Sequence, residues 1–264
     1  MNDRIVAIWI VVWLIVGVAF FGFLTNAYGD YYRTVGVYHQ TNPVVCIMYP
    51  DPEQENIELL TDLTHSSIDE WQTKLVNATN GGNWQMFILE YEWSEHATAY
   101  VEEFPHCTTF INYNHLIDDE SVGRTGWDFS KSDRYYYWVE IDTHTIEKRL
   151  QIELTEDGGN VTSKTLIKEL PENDLRNVIL HEFGHSLGVE HYYVDTNCIQ
   201  EECDYSPIMY RAVDLFEDQV KIVTEKDLNM VIRIYGEDGF GHPKPVVIPR
   251  HCEIIDMEFC PIVR

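Results

Sequence analysis

The chain has 264 residues, of which 45% are hydrophobic and 13% aromatic, a composition that excludes a disordered protein and indicates a packed globular one. Its 44 acidic and 18 basic residues give a formal net charge of −26 at pH 7. A surface of this charge repels phosphate backbones, and no run of Lys and Arg offers a local exception, so we expect no nucleic-acid partner.

The first predicted element is a membrane segment at residues 5–24. It begins at Ile5, ends at Leu24 and contains no charged, amide or hydroxyl side chain. As a helix it would be about 30 Å long, which matches the hydrocarbon core of a bilayer. It would act as a single-pass anchor with the amino terminus inside, or as a signal peptide if cleavage follows Ala27. In both cases we expect the rest of the chain to be extracytoplasmic, either membrane-anchored or secreted.

The six cysteines support export. An even number of cysteines in an exported chain permits three disulfides, which six cysteines can form in 15 ways. Buried free thiols are the alternative. The pairing that sequence distance favours has two local bridges and one long one: Cys198 with Cys203, Cys252 with Cys260, and Cys46 with Cys107.

The chain is predicted to contain four parts. Residues 1–27 hold the export segment, 28–42 form a linker, 43–236 form the main domain, and 237–264 form a tail with the last two cysteines. The linker is rich in Tyr, Gly and Thr and shows no periodicity, whereas apolar periodicity begins near Pro43.

Within the main domain, strands and helices alternate. A helix is predicted at 53–78 from apolar residues three to five positions apart, and a surface loop at 118–131. Because a helix separates the first two strands, we predict a mixed sheet and an α/β (α+β) fold class. Runs rich in β-branched and aromatic residues predict strands at 44–49, 84–91, 107–113, 135–142 and 149–154.

Two further helices are predicted near the end of the domain. The first starts near Pro171, has one apolar face and ends at Gly188. The second opens with Thr224 and Asp227, which have capping-box spacing, and stops at Gly236.

Residues 181–191 read HEFGHSLGVEH, in which histidines recur at a spacing suited to one metal ion. His181 and His185 are four residues apart and so lie on one face of a helix, where both rings can bind zinc at about 2.0–2.1 Å. Gly188 can adopt a positive φ that turns the chain and brings His191 to the same ion. Three protein ligands leave a fourth position for water, which is the arrangement of a catalytic zinc site.

Glu182 lies next to the first of these histidines and is the candidate general base. Zinc lowers the pKa of a bound water toward about 7, and a neighbouring carboxylate can then accept its proton. We therefore predict one catalytic Zn²⁺ held by His181, His185 and His191, with Glu182 as the catalytic residue.

The HExxHxxGxxH motif resembles that of the metzincin zinc endopeptidases, and residues 206–210 (SPIMY) resemble the methionine-containing turn of that family. The resemblance implies that Met209 is the structural methionine beneath the metal. It also implies a metzincin-like fold with a twisted, mixed five-stranded sheet, an active-site helix, a C-terminal helix and a smaller region after Gly188.

Within the metzincins the chain is most similar to matrixin-type catalytic domains, but it departs from them in two respects. Tyr192 follows the third histidine where matrixins usually carry Ser, and no cysteine-switch motif precedes the domain. The resemblance also implies calcium, for which the sequence offers no assignable ligand set.

The sequence therefore predicts a zinc endopeptidase whose substrates are extracytoplasmic proteins or peptides. The resemblance implies a cleft in which an extended substrate binds along a sheet edge, with a specificity pocket between the zinc helix and residues 211–223. The alternative is a non-catalytic exported binding or adhesion module that keeps zinc for stability, and the intact Glu182 favours the enzyme.

Overall fold

The structure, a computed structural model, describes the central part of the chain. The predicted segment at residues 5–24 and four of the cysteines, from 198 onward, lie outside the described residues. Within the described part, no helix combines the length and the apolar character needed to cross a bilayer. The described ranges are 31–34, 38–48, 56–91, 100–114, 121–131, 134–155, 158–193, 205–210, 215–216 and 219–241.

The chain divides into two compact units. The larger unit comprises Thr34–His191 and Ser206–Val246, and the smaller one comprises Met1–Arg33, Tyr192–Tyr205 and Val247–Arg264. The sheet, the four helices and all the candidate site residues belong to the larger unit.

The described residues form nine strands and four helices. The strands are β1 (Tyr31–Thr34), β2 (Val44–Met48), β3 (Phe87–Tyr91), β4 (Thr109–Asn114), β5 (Gly123–Phe129), β6 (Tyr135–Asp142), β7 (His144–Thr155), β8 (Gly158–Glu169) and β9 (Val189–Tyr193). The helices are α1 (Ile57–Ala78), α2 (Tyr100–Glu103), α3 (Glu172–Ser186) and α4 (Glu225–Tyr235).

A mixed five-stranded sheet with the order β3-β2-β4-β6-β5 forms the centre of the larger unit. The first four strands are parallel, and only β5, at one edge, runs antiparallel to its neighbour β6. Residues 45–48 of β2 are all buried, as expected of an interior parallel strand that is covered on both faces. The predicted mixed α/β architecture with a five-stranded sheet is therefore confirmed.

The prediction of a surface loop at 118–131 was wrong, because this region contains the edge strand β5. The strand pairs with β6 alone and is largely exposed, with Trp127 and Phe129 both facing solvent, so it lacks an alternating apolar pattern. The two glycines of β5 also made the strand hard to predict, because glycine is uncommon within strands. Gly126 is required there because a Cβ atom at this position would clash with the ring of Trp138.

A long hairpin separates the sheet from helix α3. The strand predicted at 149–154 is the second half of β7, which begins earlier, at His144, and pairs along its whole length with β8 in an antiparallel ladder. Sequence analysis did not predict β8, whose first residues are Gly158 and Gly159.

The larger unit extends past both predicted limits of the main domain, 43 and 236. His39 is 2% exposed, although it lies in the predicted linker, and Phe240 is 5% exposed, although it lies in the predicted tail. Both rings belong to an aromatic cluster with Tyr137, Trp84 and Tyr235. Burial of this aromatic surface holds both ends of the domain in place.

Helices α1, α3 and α4 lie where the sequence predicts them, whereas the short helix α2 was not predicted. Helix α1 is joined to α3 through the fully buried Trp71, whose Nε1 donates a hydrogen bond of 3.0 Å to the main-chain oxygen of Leu180. Helix α4 begins with the predicted capping box of Thr224 and Asp227 and ends at Gly236, which has a φ of 86°.

The predicted Cys46–Cys107 disulfide is present and joins β2 to the residues just before β4. Both cysteines are fully buried in a cluster with Met48, Val101 and Phe110. The bridge spans 61 residues, so it removes many conformations from the unfolded chain.

Replacement of Cys46 and Cys107 by alanine should therefore lower the free energy of unfolding by about 4 kcal/mol, as chain entropy predicts for a loop of this length. Urea unfolding of the double variant and the oxidised wild type measures the difference. An unchanged transition midpoint would show that the bridge contributes no stability.

Candidate metal centre

Helix α3, which carries the first part of the motif, is unusually buried. Twelve of its residues are buried, all of them within 174–186, because the helix packs against α1, β5 and β6. The predicted helix start near Pro171 is correct, and the helix ends at Ser186, two residues before the predicted end. Polar side chains on this helix are therefore removed from water, which changes their chemistry.

The structure brings the three predicted histidines together. A ring nitrogen of each of His181, His185 and His191 lies within 4.8 Å of the others, and the ring centroids are 4.8–5.3 Å apart. His191 reaches the cluster because Gly188 has a φ of 93° and turns the chain directly after the helix. A side chain at 188 would also crowd the ring of Tyr38, so glycine is required both for its φ and for the space.

Backbone carbonyls orient two of the rings. The Nδ1 atom of His181 lies 2.7 Å from the oxygen of Ile208, and the Nδ1 atom of His185 lies 2.7 Å from the oxygen of Val189. A carbonyl oxygen only accepts hydrogen bonds, so each Nδ1 carries the proton and donates it. The Nε2 atom of each neutral ring then presents a lone pair, as a metal ligand must.

Burial keeps these rings neutral. Desolvation lowers the pKa of His181 to about 4, opposed by its hydrogen bond to Ile208. Desolvation, reinforced by the charges of the other two histidines of the cluster, holds the pKa of His185 well below its ordinary value. Neutral imidazole is the form that binds metals, so a site of three such nitrogens fits Zn²⁺.

One other group of potential ligands occurs among the described residues, formed by Cys46, His106 and Cys107. The two sulfur atoms are joined in the disulfide and are not available as thiolates. The three-histidine cluster is therefore the candidate metal centre of the described part of the chain. Neither group offers the set of oxygen ligands that calcium requires.

Glu182 is buried beside the histidines, and strand β5 holds its carboxylate. The Oγ1 atom of Thr125 donates a hydrogen bond of 2.7 Å to Oε2 of Glu182, and the side chain also packs against Gly123. Desolvation raises the pKa of Glu182 to about 7, against the lowering effect of the Thr125 hydrogen bond. The carboxyl group is thus able to accept and release a proton near neutral pH.

Met209 lies beneath helix α3. It is fully buried, and a Cβ atom at Gly184 would clash with its sulfur atom and crowd Trp71. Because position 184 lies between the first two histidines, Met209 supports the helix at the centre of the cluster. This is the position that the metzincin resemblance implies for it.

Asp227 fixes the turn that carries Met209. Its two carboxylate oxygens accept hydrogen bonds from the main-chain nitrogens of Ile208 (3.1 Å) and Met209 (3.2 Å), and from Thr224. Desolvation raises the pKa of Asp227, against the effect of these hydrogen bonds. Ile208 therefore donates to Asp227 through its nitrogen and accepts from His181 through its oxygen.

Sequence analysis missed Thr125 and identified Asp227 only as part of a helix cap. The T-x-x-D spacing was the available signal for Asp227, but it contains no information on the distant turn at 208–209. Comparison with models of known protein families finds no match, and comparison with curated proteins finds no matching sequence.

Replacement of Asp227 by asparagine should weaken zinc binding by about 10–100-fold, although the aspartate touches no histidine. An amide nitrogen would face the N–H group of Ile208 or Met209, and the resulting shift of the turn would move the acceptor of His181. A competition titration with a chromogenic chelator measures the affinity. The exposed Asp69→Asn is the matched control, and equal affinity in both variants would contradict the positioning role of Asp227.

The buried histidines should make the metal-free protein sensitive to acid. His39 is included, because desolvation lowers its pKa to about 4 while Nε2 donates to the oxygen of Ser186. Between about pH 6.5 and 4 the unfolded state binds a proton at each such histidine that the folded state does not, so stability falls as the pH falls. Each group contributes about 1.4 kcal/mol per pH unit. The raised pKa of Glu182 has the opposite effect, because between about pH 4.5 and 7 it makes the folded state more stable as the pH falls.

His39→Gln isolates one of these contributions, because glutamine keeps a donor for Ser186 and does not titrate. The slope of unfolding free energy against pH should be smaller in this variant by about 1.4 kcal/mol per pH unit between pH 6 and 5. Denaturant unfolding in the presence of a chelator measures both slopes. Equal slopes would mean that His39 is protonated in the folded protein at these pH values.

Proposed function

We propose that the chain is a zinc-dependent endopeptidase of the metzincin type, most similar to matrixin catalytic domains. The observation that carries the proposal is the convergence of three histidines, two of them kept neutral by burial, beside a buried glutamate. The mixed five-stranded sheet, the helix with the motif, Met209 beneath it and the closing helix α4 are all compatible with that family.

His181, His185 and His191 would hold one Zn²⁺ ion through ring nitrogens. Bound there, zinc would supply a Lewis acid that lowers the pKa of a water molecule and polarises a peptide carbonyl. The main-chain oxygens of Ile208 and Val189 keep two of the rings in the required tautomer. The protein therefore contributes a fixed ligand geometry before any metal binds.

Glu182 would act as the general base and then as the general acid. Thr125 engages Oε2, so Oε1 is the oxygen that accepts a proton from the attacking water. The same carboxyl group would pass that proton to the nitrogen of the departing amine. In the metal-free chain its pKa is about 7, and a Zn²⁺ ion bound to the neighbouring histidines would favour the carboxylate, which is the form that accepts the proton of the water.

The substrate would bind along strand β5. Among the described strands β5 pairs with β6 alone, and it contacts α3 where Gly123 and Thr125 meet Glu182. An extended peptide added to the other edge of β5 would gain main-chain hydrogen bonds and pass beside the catalytic carboxylate. The proposed substrates are accordingly extended segments of proteins or peptides.

We further propose that the enzyme acts outside the cytoplasm. The buried Cys46–Cys107 disulfide supports an oxidising compartment, and the apolar segment predicted at residues 5–24 supports export as an anchored or secreted protein.

The test is cleavage of a quenched fluorescent peptide library by the purified chain, with zinc content measured on the same sample. We expect one zinc per chain and cleavage that a chelator abolishes. Glu182→Gln should keep the zinc and reduce kcat by about 10²–10⁴-fold, because general-base catalysis is lost. Glu172→Gln, an exposed position on the same helix, is the matched control and should retain full activity.

A zinc-loaded protein that cleaves no peptide would contradict the endopeptidase and favour the binding or adhesion module. Cleavage that persists in Glu182→Gln would remove this residue from the role of base. A protein that binds no zinc would contradict both functions.

A further inference from the structure

One extended segment, residues 219–223, lies beside the candidate centre and is held against helix α3. The side chain of Asn177 forms two hydrogen bonds with the main chain of this segment. It donates one of 2.6 Å to the oxygen of Gln219 and accepts one of 3.0 Å from the nitrogen of Lys221. Arg176 donates a third, of 2.6 Å, to the oxygen of Lys221. Asn177 thus pairs with the segment much as a neighbouring strand would.

Helix α1 holds the other end of the segment. Glu70 accepts a hydrogen bond of 2.8 Å from the nitrogen of Val223, and Lys74 donates one of 2.7 Å to its oxygen. Glu70 also forms ion pairs with Lys74 and Arg176, so both cations are neutralised within the protein. All these contacts to the segment use its main chain, and its side chains are left for other roles.

Lys221 is the residue of this segment whose main-chain nitrogen and oxygen are both bonded to helix α3. Asn177, which holds its nitrogen, lies one helical turn before His181 and therefore on the same face of α3. Its neighbours Val220 and Ile222 are 57% and 53% exposed, whereas Lys221 is half-buried, as alternation along an extended chain requires. The positive charge of Lys221 is the smallest of the causes that lower the pKa of His181, after desolvation and the charge of His191.

The charge of Lys221 has no carboxylate partner among the described residues. The ion pairs found there involve Lys74, Arg124, Arg176 and His65, but not Lys221. An ammonium group that forms no ion pair within the described residues can form one with an anionic ligand. In a chain with a net charge of −26, this placement of a cation beside the centre is a local reversal of charge.

We propose that Lys221 makes the site select substrates that place a carboxylate next to the scissile bond, on the side of helix α3 that faces residues 219–223. The inference rests on the proposed peptidase function and specifies its substrate class. The carboxylate can belong to an Asp or Glu side chain within a polypeptide or to a free C-terminus, and both would form the same charge-assisted hydrogen bond.

Matched peptides test the selection. One pair differs only by Glu or Gln at the residue after the scissile bond, and a second pair carries a free or an amidated C-terminus at that residue. We expect the wild-type chain to favour the Glu peptide by about tenfold in kcat/KM. Lys221→Met should bring this ratio close to one without unfolding the segment, because the clamp uses only main-chain atoms of residue 221.

Two further variants sharpen the test. Lys221→Glu should reverse the preference, so that a Lys peptide is favoured over the Glu peptide. Arg233→Met removes one exposed positive charge from helix α4 and is the control for net charge, so its ratio should equal that of the wild type. A ratio near one in the wild type, or a ratio that Lys221→Met leaves unchanged, would overturn the proposal.

Binding separates failure of this proposal from failure of the peptidase function. Fluorescence anisotropy with the zinc-loaded Glu182→Gln chain measures affinity for the same labelled peptides without turnover. Tighter binding of the Glu peptide that depends on Lys221 would support the selection even if the wild type cleaves no peptide. Equal or undetectable binding of the Glu and Gln peptides would overturn it, and a preference limited to the free C-terminus would identify that group as the source of the carboxylate.

Discussion

The hydrogen bond from Nδ1 of His181 to the main-chain oxygen of Ile208 is the interaction on which the candidate centre depends. Through its nitrogen, Ile208 is bound to Asp227, the residue that also caps helix α4. The ring, the turn and the closing helix therefore form one continuous network. Because the carbonyl can only accept, the fold itself determines which nitrogen of His181 carries a lone pair. The ligand geometry is in this way a consequence of tertiary structure as well as of the motif.

Burial of helix α3 has both a benefit and a cost. Desolvation keeps His181 and His185 neutral and raises the pKa of Glu182, which are the states that metal binding and proton transfer require. The same desolvation makes the metal-free protein less stable than an apolar helix would be, because polar groups have lost their water. Metal binding would recover part of this free energy, so we infer that folding and metal affinity are coupled in this chain.

The sequence was most informative where interactions are local. The convergence of the three histidines, the positive φ at Gly188 and the cap at Thr224 all involve residues at most ten positions apart, and the structure contains each of them as predicted. Buried strands such as β6 were also predicted, because their composition reflects their environment. Local patterns are sufficient for these features since the determining contacts lie a few residues apart.

The features that the sequence did not reveal depend on contacts between distant residues. Thr125 is 57 positions from Glu182, and Asn177 is 44 positions from Lys221. Strand β5, which carries Thr125, is an edge strand with glycines and exposed aromatic residues, so neither of its faces has a consistent apolar pattern. The aromatic cluster around His39 likewise joins segments that are about 200 residues apart, which no local pattern can indicate.

The charge of the chain acts differently at different distances from the centre. Most of the 44 acidic residues must be exposed, and at physiological ionic strength their fields are screened beyond about 8 Å. They slow the approach of acidic substrates but have little effect on a bound one. Lys221 is half-buried, and its main chain is bonded to the residue one helical turn before His181, so its charge is screened less than that of an exposed and more distant residue. The net charge of −26 therefore governs encounter and solubility, whereas the proposed selectivity for a carboxylate beside the scissile bond depends on a single lysine that is held in place through its main chain.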